Sequence, residues 1–117
     1  MIQILIIDDD ADCAEALADT LQDVGYDVAM AGSAAAALRR LQSERPSLIV
    51  LDLLMPGMSG EEFLARRRAD PALADIPVIV LTATPAAFND PDGQTPVLRK
   101  PVDPAELLDL VASMTTT

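Results

Sequence analysis

Three aspartates, Asp8, Asp9 and Asp10, stand side by side directly after the apolar run Ile4 to Ile7. A fourth acid, Asp52, is set inside the aliphatic stretch LIVLDLLM, residues 48–55. A carboxylate in such surroundings is costly unless something pairs with it. Two more polar residues close apolar runs: Thr82 ends PVIVLT, and Lys100 follows PVLR. Lys100 is the only lysine beside seven arginines, which marks a place for a compact ammonium charge rather than a planar guanidinium. The set is chemically coherent. Carboxylates such as Asp8, Asp9 and Asp52 can hold a hard cation, and Mg2+ favours a few carboxylate oxygens together with water and phosphate oxygens. A hydroxyl and an ammonium opposite that cation can grip the oxygens of a phosphoryl group in transfer. A carboxylate can also be the nucleophile, forming an aspartyl phosphate.

Taken singly, these residues have ordinary uses. Asp10 is placed to cap the following helix, as aspartate does at helix starts, and Asp12 to be a solvated first-turn charge. Threonine is a good strand residue wherever it stands. To act together, the set requires four separate segments to end at one place. Ile2 to Ile7 reads as a strand apolar on both faces, the pattern of a parallel sheet. In ADCAEALADTLQDVGYDV, residues Ala14, Leu17, Ala18, Leu21 and Val24 fall at helical spacing, with Gly25 at the C-terminal cap. Val28 to Ala31 is a second strand. Ser33 caps a second helix expected through about Glu44, before Pro46. SLIVLDLLM is the central strand, and Ser59 with Glu62 has capping-box spacing. PVIVLTA and PVLRK are two further strands. A last helix begins at Asp103 with Pro104 in its first position, Leu107, Leu108, Leu110 and Val111 as its apolar face, and a frayed MTTT end.

The order β-α-β-α-β-α-β-?-β-α predicts an α/β fold, a doubly wound parallel sheet with helices on both faces. The undecided segment is 84–96, where Pro85, Pro91, Gly93 and Pro96 leave room for about two helical turns at most, and a loop with one turn of helix is expected. Ligands of such sheets bind beyond the carboxyl ends of the strands. Asp8, Asp9, Asp52, Thr82 and Lys100 are all expected there.

Composition narrows the chemistry. The chain has 117 residues, half of them hydrophobic, and a net charge of −11; it is expected to form one domain, residues 1–117. So negative a surface repels nucleic acid and anionic lipid. With no histidine and one cysteine, Cys13, Ser-His and Cys-His catalysis, disulfides within the chain, and His- or Cys-built metal centres are excluded. No apolar run reaches membrane-spanning length, and no leader pattern is present. The expectation is a cytoplasmic protein without membrane insertion.

With LIIDDD, LIVLDLLMPGMSG, PVIVLTA and LRKPVD in this order, the chain resembles the receiver domain of two-component response regulators along essentially its whole length, in the stand-alone, single-domain form. The resemblance implies a five-stranded flavodoxin-like sheet in the order 2-1-3-4-5, here with the fourth helix short or missing. It implies that Asp52 is the phosphoacceptor, taking a phosphoryl group from the phosphohistidine of a histidine kinase or His-phosphotransfer protein. Asp8, Asp9, Asp52 and the backbone carbonyl of Leu54 would bind Mg2+ or Mn2+. Thr82 and Lys100 would bind the phosphoryl oxygens, and Thr82 would move inward on phosphorylation. It further implies a cis Lys100-Pro101 bond, a self-catalysed loss of phosphate tuned by Leu54 and Thr84, and signalling through a downstream protein rather than enzymatic turnover. Two departures stand out. Val97 replaces the family's aromatic residue three before the lysine, and 84–96 replaces a full helix. Three other readings compete. One is a receiver-like docking module that needs no phosphorylation. Another is a haloacid-dehalogenase-like phosphatase, which fits Asp8 and Asp10 but leaves Asp52 without a role. The last is a calcium loop over Asp8, Asp10, Asp12 and Asp19, which fails because Cys13 stands where glycine is needed.

Overall fold

Residues 3–90, 93 and 95–115 are described by the computed structural model. Strand β1 (Ile4–Ile7) leads into α1 (Ala11–Gln22), β2 (Val28–Ala31), α2 (Ala34–Arg40), β3 (Leu48–Asp52), α3 (Gly60–Ala69) and β4 (Val78–Thr82). A single 3-10 turn (Pro85–Ala87), β5 (Val97–Arg99) and α4 (Pro104–Thr115) complete the order. The strands form one parallel sheet in the order β2-β1-β3-β4-β5.

Alternation along each strand divides the core in two. Leu5, Ile7, Ile49, Leu51, Val78 and Val80 face α2 and α3, packing on Ala34, Ala37, Phe63 and Leu64. Ile4, Ile6, Leu48, Val50, Ile79 and Leu81 face the other way, onto Leu17 and Leu21 of α1 and Leu107 and Val111 of α4. The doubly wound expectation is met, and the short fourth-helix segment is the 3-10 turn. Gly25, at φ 102°, takes up the left-handed region after α1.

Several local expectations are corrected. Val24 lies beyond the last residue of α1 and is 56% exposed. Helix α2 stops at Arg40 rather than Glu44, because the chain tightens into three-residue turns from Gln42 to Arg39 and from Ser43 to Arg40. Ser59 caps α3 by accepting from Glu62 N at 3.1 Å. The Glu62 carboxylate faces Arg66 at 3.4 Å instead of closing a reciprocal box. Met114 and Thr115 remain helical, with the Thr115 hydroxyl donating to Val111 O at 2.8 Å. The expectations for Ile2, for residues 91, 92 and 94, and for Thr116 and Thr117 lie outside the described residues.

Candidate functional site

The parallel register places the carboxyl ends of β1, β3 and β4 side by side: Ile7 pairs with Leu51, and Asp52 with Leu81. Each strand then delivers its next polar group to the same edge. Asp8, Asp52 and Thr82 are buried at 2%, 5% and 3% exposure, and they are the buried polar side chains among the described residues. Asp9 is exposed beside them. One carboxylate oxygen from each of Asp8, Asp9 and Asp52 falls within a group spanning 4.8 Å.

Lys100, one residue past β5, closes the other side. Its Nζ stands 3.4 Å from Asp8 Oδ2 and 3.4 Å from Asp52 Oδ1, and the peptide bond to Pro101 is cis. Asp8 Oδ1 accepts from Asp10 N at 3.0 Å, while Asp10 Oδ1 accepts from Asp12 N and Cys13 N and so caps α1. The aspartate run therefore divides between the site and the helix. Leu54 N donates to Asp52 Oδ1 at 3.4 Å. The first residue of α3 lies tight against this loop: a Cβ on Gly60 would come within 2.7 Å of Leu53 Cα and 2.9 Å of Asp52 O.

Electrostatics follow from this crowding. Burial pushes the Asp52 carboxyl up from its ordinary value; Lys100 pulls it down, Asp8 pushes it up again, and the net shift is upward. Desolvation works to lower the Lys100 ammonium, but Asp52 and Asp8 outweigh it and hold it above the usual lysine value. Three close carboxylates against one ammonium leave excess negative charge made of hard oxygen donors, which suits a divalent cation of the Mg2+ type.

Thr82 sits at the same strand end, and its hydroxyl is engaged sideways. It accepts from Thr84 N at 3.1 Å and stands 3.5 Å from Thr84 Oγ1. Sequence patterns did not reveal this link. They also missed Cys13, whose thiol is pushed up by burial and by the adjacent Asp8 carboxylate. The available signal was its place three residues after the cap Asp10, where the first turn of α1 leans over the end of β1.

Comparison with known proteins agrees with this geometry. Residues 4–112 match the response regulator receiver domain family. The chain is 39% identical over 120 residues to an uncharacterized 14.6 kDa protein from the sodA1 3' region of Leptolyngbya boryana, covering 94% of this chain and 87% of that one. It is 36% identical over 110 residues to the DNA-binding response regulator MtrA of Mycolicibacterium paratuberculosis, covering 91% of this chain but 48% of MtrA. The chain thus spans about half the length of that relative. The chemotaxis protein CheY4 of Vibrio cholerae has the same fold at a TM-score of 0.83 and 30% identity, covering 97% of this chain and 98% of CheY4. A family match over nearly the whole chain, a 2-1-3-4-5 parallel sheet and an acidic edge closed by one lysine agree: the chain belongs to the receiver domains of two-component response regulators.

Proposed function

We propose that residues 1–117 act as one cytoplasmic phosphoacceptor unit in which Asp52 takes a phosphoryl group from the phosphohistidine of a histidine kinase or His-phosphotransfer protein. The observation that carries this reading is the place of Asp52: a buried carboxylate at a strand end, 3.4 Å from the only lysine and grouped with two further acids. An Asp52 oxygen attacks phosphorus, the P–N bond to the donor imidazole breaks, and the imidazole nitrogen keeps the electron pair and is reprotonated from solvent. Charge spreads onto the phosphoryl oxygens in this transfer, so catalysis is chiefly positioning and neutralisation. Lys100 holds Asp52 in place before transfer and would then neutralise a phosphoryl oxygen; Thr82 would donate its hydroxyl hydrogen to another. Asp8, Asp9, Asp52 and the Leu54 carbonyl would hold Mg2+ or Mn2+, which supplies further neutralisation of those oxygens when bound.

Signalling then passes by protein contact to a downstream partner. MtrA is named as DNA-binding, but this chain matches about half of that protein, and at a net charge of −11 DNA is not a partner we assign to it. The test is intact mass after incubation with Mg2+ and acetyl phosphate. A gain of one phosphoryl group is expected in the wild type and none in Asp52→Ala. A gain that persists in Asp52→Ala, or is absent from both, overturns the assignment.

A further inference from the structure

In a parallel sheet with helical crossovers, the helices run back from the acidic edge, so α2, α3 and α4 end where the strands begin. Ser47, Pro77 and Pro96 stand at that opposite edge: Ser47 N donates to Gln3 O at 2.8 Å, while Pro77 O accepts from Ile49 N and Pro96 O from Val80 N, both at 2.9 Å. Six of the chain's eight cations, Arg39, Arg40, Arg45, Arg66, Arg67 and Arg68, fall within residues 39–68. Arginines in a last helical turn complement the helix dipole, and Arg40 and Arg66 are ion-paired with Glu44 and Glu62. Arg45 and Arg67 are used differently, since both clamp the loop between α3 and β4. Arg67 donates from Nε to Ile76 O at 2.8 Å and from Nη2 to Ala74 O at 2.9 Å, and Arg45 donates from Nη1 to Ala72 O. A carbonyl holds a guanidinium in place without cancelling its charge, and Arg45 commits one of five N–H donors. Among the described residues, neither Arg45 nor Arg68 is ion-paired with a carboxylate.

Two hollows open beside this loop, with Pro77 and Met114 lining both. One, of about 440 Å³, is flanked by Arg67, Arg68 and Thr95; the other, of about 470 Å³, by Arg45, Ser47 and Asp75. We propose that this double hollow binds a phosphate ester carrying a flat apolar group, the chemistry of a nucleotide. Planar guanidiniums suit phosphate oxygens, and two of them are already held by carbonyls, which lowers the cost of ordering them on a ligand. Pro77 and Met114 offer a rigid ring and a polarizable thioether to a flat heterocycle. Each hollow has the size of a small-molecule site. The net charge of −11 does not oppose this locally. Asp8, Asp9 and Asp52 gather at the far end of the sheet, and Asp75 is the acid among the described residues lining the hollows. The inference does not rest on the phosphoacceptor reading.

The methionines report on the two ends separately. Met114 lines the hollows, whereas Met30 lies beside Asp8 and Asp9 and Met55 and Met58 follow Asp52 in the chain. The experiment titrates methyl-13C-methionine protein with ADP in Mg2+-free buffer at constant ionic strength. A saturable shift of the Met114 methyl is expected, with Met30, Met55 and Met58 unmoved, and with inorganic phosphate and adenosine each binding more weakly. Arg68→Gln should weaken ADP by roughly tenfold, the worth of a charged hydrogen bond, at unchanged Tm. Arg39→Gln removes the same charge from an exposed position that does not line the hollows, and should leave ADP binding as it was. No shift at Met114, phosphate binding as tightly as ADP, or equal weakening in both variants overturns the inference, and none of these results touches the phosphoacceptor assignment.

Discussion

At the residue scale, Asp52 is held between opposing effects, and this gives a signed pH dependence. Burial raises its carboxyl pKa, Lys100 lowers it and Asp8 raises it, with the net shift upward. A raised folded-state pKa means that the native state binds the proton more tightly than the unfolded chain. The stability gained from that proton is fully present below the ordinary carboxylate value and is lost as pH rises through the raised one. At neutral pH the Asp52 charge therefore works against folding. In metal-free buffer at pH 7, Asp52→Asn is expected to raise stability by about 1 kcal/mol, a few degrees in Tm. Lys100 keeps Asp8 at 3.4 Å in that variant, so no unpaired cation offsets the gain. Below about pH 3.5 the difference should close, because wild-type Asp52 is then protonated itself. Thermal unfolding at both pH values checks this, and an equal gain at each would mean that the charge is not the cause.

At the element scale, the site depends on how closely α3 approaches the end of β3. Gly60 permits that approach, and the atoms in its way are the backbone of Asp52 and Leu53, which cannot turn aside as a flexible side chain could. Gly60→Ala is therefore expected to cost about 1–3 kcal/mol and to slow phosphorylation by acetyl phosphate through displacement of the Asp52 loop. Denaturant unfolding together with the rate of mass gain measures both effects; full stability with a normal rate would show that the helix can retreat freely. Such dependences mark what sequence reading could and could not reach. The strands, the caps Asp10, Ser33 and Ser59, and the convergence of Asp8, Asp9, Asp52 and Lys100 were legible, because apolar runs, capping residues and strand-end polarity are local signals. The order 2-1-3-4-5 came with the resemblance, since spacing alone does not say which strands neighbour each other. The early end of α2, the exposure of Val24, the thiol of Cys13 beside Asp8 and the Thr82–Thr84 link were not legible. Each depends on where a segment stops or leans in three dimensions, which periodicity does not encode.

At the scale of the whole molecule, charge is distributed unevenly. Residues 1–38 contain eight acids, Asp8, Asp9, Asp10, Asp12, Glu15, Asp19, Asp23 and Asp27, and no lysine or arginine. Helix α1 packs on the same side of the sheet as α4, which adds Glu106 and Asp109 and no cation of its own. A diffuse negative field of this kind is relieved by any salt, whereas the three carboxylates at the sheet edge need a cation held at one point. The two effects separate experimentally. Raising NaCl should increase Tm modestly and smoothly. At matched ionic strength, Mg2+ should add a saturable increment, because a ligand that binds only the folded state stabilises it by about 2.7 kcal/mol at one hundred times its Kd. Asp9 is the exposed member of the group, so Asp9→Asn should fold normally and keep the NaCl response. It should lose most of the Mg2+ increment, since removing one of three charged ligands weakens both attraction and coordination. If Mg2+ and NaCl raise Tm equally at matched ionic strength, or if Asp9→Asn retains the full increment, the acids act as a field and not as a site.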